Sequence, residues 1–397
     1  MSDKTIPVSQ LDFDGLRPPS PHLTSAHAAW RQRLRHFVDK DIAPHLDDWD
    51  KSGTFPDAVY KTAADAGLLG MGFPVELGGL DEPIDLYHRI IFSEEFHRLG
   101  SGVVFADLAT HWIGLPPIIS HGTDEMKDRI ARPVLRGDKK MAFAVTEPSG
   151  GSDVSGLKTT AERRGDHFIV NGSKTLISGA MRADFILAAV RTGGPGMGGI
   201  SLLVIEADRA GISRTPVPGL TWYNASIGTF TFDNVEVPVS NLIGTENRGF
   251  ASLAGQLNIE RFSGIAATLA MSRTCIAEAV AWAQQRETFG KRLVDHQAIR
   301  HKLIEMISAL RVSYAYLDYC IDRFHRGDVP IADLSLLKIQ GVKTLEHCAR
   351  EAMHILAGQA YQGTTRVERI FRESRIFAIG GGTEEILKDL TARQLGF

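Results

Sequence analysis

The chain has 397 residues, 43% of them hydrophobic, so it can bury sizeable cores, and its length suggests two or three domains. A formal net charge of −3 and a pI of about 6.5 argue against nucleic acid or an anionic membrane as a partner. The three cysteines are widely spaced without a CxxC pair, so neither a disulfide framework nor a zinc ribbon is predicted, and a reducing compartment is favoured.

The chain begins MSDKTIPVSQLDFDG, which has no apolar core behind a basic flank, so no signal peptide is predicted. No run approaches ~18 apolar residues, so no membrane-spanning helix is expected. Together with the cysteine pattern, these features predict a soluble protein of the cytoplasm.

Three stretches of different periodicity follow one another along the chain. From about Ser25 to Leu135 the apolar pattern is helical, with Gly and Pro breaks between segments. From about Met141 to Ile243 it is typical of strands, and from Gly249 onward it predicts long helices. The expected boundaries are 1–137 for an N-terminal helical domain, 138–245 for a middle β domain and 246–397 for a C-terminal helical bundle.

Two glycine-containing motifs in the β region predict hairpins. HFIVNGSKTLIS reads as two short strands joined by a turn at Asn171-Gly172. GPGMGG at 194–199 matches G-x-G-x-x-G, but a strand-like segment follows it, whereas a dinucleotide fingerprint needs a helix N-terminus there. It is therefore predicted to be a hairpin loop.

A third β-region motif, FAVTEPSGGSD at 143–153, follows a strand-like run. Its glycines and hydroxyls would allow close approach of a polar heterocycle or a phosphate. An ordinary turn capped by Asp153 is the alternative, and composition alone favours neither.

In the C-terminal region, HKLIEMISALRVSYAYLDYCIDRF carries an apolar stripe that predicts a bundle helix with Cys320 in the core. The stripe comprises Leu303, Met306, Leu310, Ser313, Leu317, Cys320 and Phe324. QQRETFGKRLVDHQAI at 284–299 suggests a helix end at Gly290 beside Arg286, Lys291 and Arg292. These cations suit phosphate contacts but are also ordinary at a helix C-terminus. The histidines show no metal-ligand spacing, so no metal site is predicted.

Glu260 is the carboxylate that stands out physically. If LAGQLNIERFSGIAATLAM is helical, Glu260 lies in an otherwise apolar or small stripe, while Arg261 faces about a quarter-turn away. The other members of the stripe are Leu253, Leu257, Gly264, Ala267 and Met271. Burial would raise the pKa of this carboxyl, which suits a general base near neutrality; a structural ion pair with another helix is the alternative.

IFAIGGGTEEIL at 376–387 combines a glycine loop with the start of a helix. Gly380, Gly381 and Gly382 would allow close approach of a ligand or of backbone, and Thr383 is predicted to be the N-cap. Glu384 and Glu385 follow at once. A phosphate cradle, an active site with one of these glutamates as base, and a simple capped turn are all open from these residues alone.

In order and spacing, FAVTEPSGGSD, VNGSKTLISGA, RETFGK…DHQA, HILAG and IGGGTEEI resemble the acyl-CoA dehydrogenase family of flavoenzymes over almost the whole chain. The resemblance implies a mainly α fold with a central β-barrel or sandwich domain and a C-terminal four-helix bundle. It also implies FAD as cofactor, oxidation of an acyl-CoA to the trans-2-enoyl-CoA, and an electron-transfer flavoprotein as acceptor. A homo-oligomer is expected, usually a tetramer built as a dimer of dimers.

By matching position, the resemblance also assigns the FAD contacts. Those along the flavin ring are Phe143, Val145, Thr146, Gly151 and Ser152, with Leu176 and Ser178 on the other side. Those for the diphosphate and adenosine, across a subunit interface, are Arg286, Thr288, Phe289, Gln297, His354 and Gly358, and Thr383 and Glu385 lie near the cofactor. Leu176 stands where the family usually has an aromatic residue and His354 where it usually has Gln, so adjusted contacts with retained binding are expected.

The family also indicates where the base lies. Many members carry the catalytic glutamate at the position of Gly381, whereas isovaleryl-type and long-chain-type members carry it at the position of Glu260. Glu260 is therefore the predicted base, taking the α proton while the β hydrogen leaves as hydride to flavin N5. The backbone N–H of Gly381 and the flavin ribityl hydroxyl are the expected donors to the thioester oxygen.

The remaining substrate contacts and the acyl preference follow from the same resemblance. The expected substrate-binding residues are Ser152, Asn258, Arg261, Gly381 and Gly382. The small residues at 380 and 381 and the base placement favour a branched or medium-to-long acyl chain. A flavin oxidase or monooxygenase on the same fold is the alternative, and a non-catalytic CoA-binding or scaffold member is a third interpretation that retention of Glu260 and VTEPSGGSD disfavours.

Overall fold

The computed structural model describes residues 11–220, 226–363 and 365–397. The side chains of Leu253 and Ala254 also lie outside this description, so the Leu253 member of the predicted Glu260 stripe is not described. The chain divides into two compact units. The first contains Met1–Ala43, Leu86–Gly102 and Glu260–Phe397, and the second contains Pro44–Asp85 and Val103–Ile259.

The helices occupy both ends of the chain. In chain order they are α1 (Ser25–Phe37), α2 (Leu46–Ser52), α3 (Ala58–Asp65), α4 (Leu86–His97), α5 (Val103–Leu108), α6 (His111–His121), α7 (Asp124–Met126), α8 (Arg132–Leu135), α9 (Gly249–Gln285), α10 (Gln297–His325), α11 (Ile331–Leu356), α12 (Gly358–Tyr361), α13 (Arg366–Ile379) and α14 (Glu384–Leu395). This arrangement confirms the mainly α fold with a central β region.

The strands lie between the two helical regions, apart from one short hairpin. They are β1 (Met141–Ala144), β2 (Thr160–Arg164), β3 (His167–Ile177), β4 (Phe185–Arg191), β5 (Ile200–Glu206), β6 (Ile212–Pro216), β7 (Gly228–Pro238), β8 (Leu242–Ile243), β9 (Glu287–Thr288) and β10 (Lys291–Arg292). The sheet order is β6-β7-β3-β2-β4-β5-β8, with β1 paired parallel to β4. The GPGMGG loop joins antiparallel β4 and β5, so the predicted hairpin is confirmed.

The core of the first unit forms where α9, α10 and α11 turn apolar faces toward one another. Every member of the predicted α10 stripe is buried except Phe324, which is partly buried against the same core. Phe262 and Met271 of α9 and Leu345 of α11 belong to this cluster. The predicted core position of Cys320 is confirmed, and all three cysteines are buried free thiols.

The predicted turn at Asn171-Gly172 is wrong. β3 runs unbroken through both residues, and the hairpin turn lies earlier, between β2 and β3, at Gly165. Gly172 instead marks a register shift against β7, with a φ of 140°. A Cβ there would lie 2.7 Å from Thr159 Cα, so glycine is required for close strand approach, a role that turn propensity cannot distinguish from a hairpin.

The predicted helix end at Gly290 is also wrong. α9 ends at Gln285, and Gly290, with a φ of 75°, turns the tight hairpin between β9 and β10. The backbone therefore leaves the helix before the basic cluster, and Lys291 and Arg292 form a strand of that hairpin.

Two helical stretches, Val103–His121 and Gly249–Gln285, are long and apolar enough to cross a membrane by length and composition alone. Of these windows, 61% and 78% are buried inside the fold, as is common for core helices. Such a match is weak evidence for a membrane span, and the expected absence of one stays a prediction.

Candidate active site

Glu260 lies on α9 as the first residue of the C-terminal segment of the first unit, and its side chain is partly buried. Within the described residues, no hydrogen bond or ion pair engages its carboxylate. Burial raises its pKa above the ordinary value, while the positive charges of Arg261 and Lys338 act in the opposite direction. This is the environment expected of a carboxylate that accepts a proton during a reaction.

The glycine loop, Gly380–Gly382, joins α13 to α14 within the same unit. Gly381 and Gly382 have φ of 70° and 107°, backbone conformations that other residues rarely adopt. Thr383 is confirmed as the N-cap of α14, because its hydroxyl accepts from the Ile386 N–H. Glu384 and Glu385 lie in the first turn of that helix, as predicted, where the helix dipole favours acids.

Two cations connect the glycine loop to the surroundings of Glu260. The Arg261 Nε donates to the Gly381 carbonyl at 3.2 Å, and the Lys338 Nζ donates to the Gly382 carbonyl at 2.7 Å. Lys338 was not among the site residues predicted from the sequence. Its position among the buried residues of α11 was the available signal, because a lysine on a buried helix face needs a partner.

The second unit carries the loop predicted to lie along the flavin ring. It begins at the end of β1, where Phe143, Val145 and Thr146 are partly buried, and continues to the exposed Gly151 and Ser152. The Lys174 Nζ donates to the Val145 carbonyl at 2.9 Å, and the Thr175 N–H donates to the Thr146 carbonyl at 2.9 Å. Two residues of β3 thus hold the start of the loop, while its later residues, Gly151 and Ser152, are exposed to solvent.

The capped-turn interpretation of this loop is also correct locally. Asp153 caps a short 3-10 helix at Val154–Gly156 by accepting from the Gly156 N–H. The turn and the ligand-binding interpretation are therefore compatible, since the cap uses only the last residue of the motif.

Leu176 lies on β3 two residues beyond Lys174, and 54% of it is exposed with a φ of 57°. Ser178, just past the strand, is partly buried. A leucine at a positive φ is strained, and strained residues of this kind are concentrated at sites that bind ligands. This is the fit expected where a flat ring would pack against the sheet.

The residues predicted to contact the FAD diphosphate and adenosine lie at two places in the first unit. Arg286, Thr288 and Phe289 belong to the β9–β10 hairpin, and Gln297 begins α10; Phe289 is 98% exposed with a φ of 50°. His354 and Gly358 are exposed at the end of α11 and the start of α12.

An ion pair shows that the β9–β10 hairpin and His354 lie toward the same end of the helical bundle. Lys302, near the start of α10, binds Glu351, near the end of α11. Phe289, like Leu176, is an exposed apolar side chain at a positive φ, and the exposed polar groups around it can meet phosphates and ribose.

Comparison with known families assigns the whole architecture. Residues 24–138, 142–235 and 247–396 match the families described as acyl-CoA dehydrogenase N-terminal, middle and C-terminal domains. "Acyl-CoA dehydrogenase AFT10-1" of Alternaria alternata is 34% identical over 95% of this chain and 93% of its own. The chain belongs to the acyl-CoA dehydrogenase family.

Other members of the acyl-CoA dehydrogenase family are similar over comparable lengths. The "3-(aryl)acrylate reductase" of Clostridium sporogenes is 30% identical over 94% of this chain and 99% of its own. The "Caffeyl-CoA reductase-Etf complex subunit CarC" of Acetobacterium woodii is 30% identical over 90% and 94%. A crystal structure of a putative acyl-CoA dehydrogenase from Mycobacterium smegmatis superposes with a TM-score of 0.92 at 38% identity, covering 95% of this chain and all of that one.

As a member of this family, the protein is an FAD-dependent oxidoreductase acting on acyl-CoA. In the second unit, the exposed Leu176 at a positive φ and the open loop after β1 fit a flat ring; in the first unit, the exposed groups around Phe289 fit a polar tail. When bound, FAD supplies the chemistry of accepting an electron pair from the substrate. The protein supplies the proton acceptor, the donors and the binding surfaces.

Proposed function

We propose that this protein oxidises a branched or medium-to-long acyl-CoA to its trans-2-enoyl-CoA, with Glu260 as the catalytic base. One observation supports this assignment most strongly: Glu260 is a partly buried carboxylate with no partner among the described residues, and the two cations that act on it both hold the glycine loop. Position 381, the other place where the family carries a base, has no side chain.

Glu260 removes the α proton of the thioester, and the β hydrogen departs with its electron pair as the α,β double bond forms. Because burial raises the pKa of Glu260, its carboxylate is a stronger base than an exposed one, while the two nearby cations act in the opposite direction. Negative charge develops on the thioester oxygen, and the Gly381 N–H is the protein donor that we assign to it. A glycine suffices there because only the backbone acts.

Other residues bind and orient the reactants. Asn258 and Arg261 follow the CoA arm, with Ser152 and Gly382 completing the substrate contacts. The ring-side residues of the β1 loop, with Leu176 and Ser178, hold the flavin in place. We assign Thr383 and Glu385, at the start of α14, to the cofactor side of the loop.

The cofactor tail suggests the assembly. Arg286, Phe289 and Gln297 are exposed in the single chain, as are His354 and Gly358, so we propose that they meet the FAD diphosphate and adenosine of a neighbouring subunit. This arrangement requires a homo-oligomer, and we propose a tetramer built as a dimer of dimers. The measurement that checks it is the molar mass in solution by light scattering.

An electron-transfer flavoprotein is the electron acceptor that we propose, in agreement with the name of the Acetobacterium relative, which includes an Etf complex. A flavin oxidase or monooxygenase would instead be reoxidised rapidly by oxygen. The three buried free thiols are compatible with a reducing cytoplasm as the location.

The acyl preference rests on the small residues of the glycine loop. Gly380 and Gly381 carry no side chain that would fill space beside the bound acyl group, which leaves room for a branch or a longer chain. Two relatives are named for aryl substrates, so 3-arylpropionyl-CoA belongs in any substrate panel. A strict preference for a straight four-carbon acyl-CoA would contradict this part of the proposal.

The deciding experiment is an anaerobic titration of the purified yellow protein with such a panel, followed by its visible spectrum. We expect bleaching by a branched or medium-to-long acyl-CoA and a loss of about 10²–10⁴ in the reduction rate for Glu260→Gln, the range for a lost general base. Glu278→Gln makes the same change on the same helix, about 27 Å further along its axis, and should reduce normally.

Two outcomes would overturn the proposal. A Glu260→Gln protein that is reduced as fast as the wild type excludes Glu260 as the base. Fast reoxidation of the bleached protein by oxygen, without an electron-transfer flavoprotein, moves the assignment to the oxidase or monooxygenase alternative.

A further inference from the structure

Lys338 is a buried lysine that takes no part in the bond-making and bond-breaking steps proposed above. It lies on α11 with 7% of its surface exposed, and its ammonium donates to the Gly382 carbonyl at 2.7 Å. The partner is a backbone carbonyl of the glycine loop, whose three successive glycines have little intrinsic conformational restraint. A buried ammonium that donates to a loop carbonyl restrains the conformation of the loop.

The neighbouring carbonyl is held in a similar way. The Arg261 guanidinium donates to the Gly381 carbonyl at 3.2 Å from α9. Two successive carbonyls therefore accept charge-assisted hydrogen bonds from two different helices, and such bonds are stronger than neutral ones. Because each peptide group is planar, fixing these carbonyls also fixes the directions of the Gly382 and Thr383 N–H groups and restricts the rotation of Gly381.

We propose that Lys338 is a positioning residue for the acyl-CoA reaction: with Arg261 it holds the glycine loop in its catalytic conformation, and its positive charge favours the ionised form of the Glu260 carboxylate. This inference rests on the proposed function for the roles of Glu260 and the Gly381 N–H. The part that concerns loop conformation rests only on the two hydrogen bonds.

The charges around Lys338 explain why it can act on Glu260. The groups that face its ammonium are Glu260 and Arg261 from α9 and Glu384 from α14. Burial and then the Arg261 charge lower the pKa of Lys338 to about 8, against the opposing effects of the two glutamates. The side chain is therefore charged at neutral pH and loses its proton in mildly alkaline solution. The wild-type protein can thus be compared with and without this charge by changing the pH.

The first test measures hydrogen–deuterium exchange of peptides covering 376–387 in the FAD-loaded protein without substrate. Lys338→Met should speed exchange of the loop amides about tenfold or more, and Lys338→Arg should keep most of the protection because it retains a cation. Lys343→Met is the matched control, since Lys343 lies on the same helix, is half-exposed and pairs with Glu384 at 2.9 Å without touching a loop carbonyl. Its loop exchange should match the wild type.

The second test measures the pH dependence of flavin reduction by the best acyl-CoA in a single turnover. Loss of one nearby positive charge should move the acid limb of the Lys338→Met profile upward by about one pH unit. The maximal rate should also fall about tenfold or more, because a misplaced loop misaligns the thioester. A merely structural lysine would lower the amount of folded protein and leave the acid limb in place.

The outcomes separate the two proposals. If no acyl-CoA reduces the wild type, the proposed function fails, while exchange still decides whether Lys338 holds the loop. If the wild type is reduced and folded Lys338→Met matches it in exchange, rate and acid limb, Lys338 has no positioning role. If Lys338→Met does not fold, two other measurements decide: the pH profile of Lys338→Arg, and wild-type loop exchange at pH 7 and pH 9 after correction for intrinsic rates. Loop protection that is unchanged at pH 9 overturns the proposal.

Discussion

The Lys174 ammonium and the Glu147 carboxylate are 2.8 Å apart, with 0% and 4% of the side chains exposed. Lys174 also donates to the Val145 carbonyl, and Glu147 accepts the backbone N–H groups of Lys158 and Thr159. Although burial opposes its ionisation, the hydrogen bond from Lys174 and those from residues 158 and 159 lower the pKa of Glu147 to about 2. This pair fixes the start of the loop that we propose to lie along the flavin ring.

Removing one partner of the pair should cost more than removing both. Lys174→Met leaves a buried carboxylate without its cation, so we expect the free energy of unfolding to fall by about 3–5 kcal/mol and the FAD content to fall with it. Lys174→Met combined with Glu147→Gln should lose less than the sum of the single variants, because the double variant leaves no unpaired buried charge, although the single amide oxygen can keep only one of the two backbone hydrogen bonds. Urea denaturation of the four proteins measures this coupling, and strict additivity would contradict it.

At the scale of elements, the bulge in β3 depends on a single glycine. Gly172→Ala should cost about 2–3 kcal/mol, because the residue has a φ of 140° and its new Cβ would lie 2.7 Å from Thr159 Cα. Gly165→Ala, in the actual hairpin turn, has a φ of 64° and nothing within 4 Å, so only about 1 kcal/mol of backbone strain is expected. Denaturant unfolding compares the two, and an equal loss would mean that backbone strain alone determines the cost at Gly172.

Periodicity was sufficient to predict the elements whose stability comes from one apolar face. The α10 stripe, the strands of the β region and the Thr383 cap all follow local rules that act within a few residues. The two errors, at Asn171-Gly172 and at Gly290, share a physical cause. Glycine marks unusual backbone, but whether a turn, a bulge or a helix end results depends on partners distant in sequence, such as Thr159 against Gly172.

In the candidate site too, only the residues that belong to a local sequence pattern could be predicted. Glu260 is predicted from its helix face because a lone carboxylate among small and apolar residues is visible over a few turns of sequence, and its role as the base stays a prediction. Lys338 was missed because its partner, the Gly382 carbonyl, lies 44 residues further along the chain, and a lysine in a helix is usually a surface residue. The position of Lys338 on a buried helix face is visible in the sequence, but the distant backbone carbonyl through which it acts is not.

At the scale of the whole molecule, ionisable groups affect stability in opposite directions as the pH changes. The Arg35 hydrogen bond lowers the pKa of Asp14, and the hydrogen bonds from Lys174 and from residues 158 and 159 lower the pKa of Glu147. Both carboxylates therefore stabilise the fold at a pH above their ordinary pKa, and this contribution is lost as the pH falls. Asp107 does the reverse. Burial raises its pKa to about 6, against the favourable effects of Ser226 and Arg182, so its carboxyl favours the fold most when protonated.

Asp107 therefore makes a measurable contribution of unusual sign. Because the folded state holds this proton more tightly than the unfolded chain does, the contribution of Asp107 to stability falls as the pH rises from about 4 to about 6 and is constant above that. At about 1.4 kcal/mol for each pH unit, the total is about 3 kcal/mol. Asp107→Asn keeps an oxygen that accepts from the Ser226 hydroxyl but removes the charge. The free energy of unfolding of the variant should therefore rise by this amount relative to the wild type between pH 4 and pH 7.

Denaturant unfolding at both pH values measures the difference. Asp65→Asn is the control for the substitution itself, because Asp65 is a 67% exposed side chain on α3. A wild-type-to-variant difference that is the same at both pH values would mean that Asp107 is ionised throughout, held by the Arg182 Nε that lies 3.6 Å from its Oδ2.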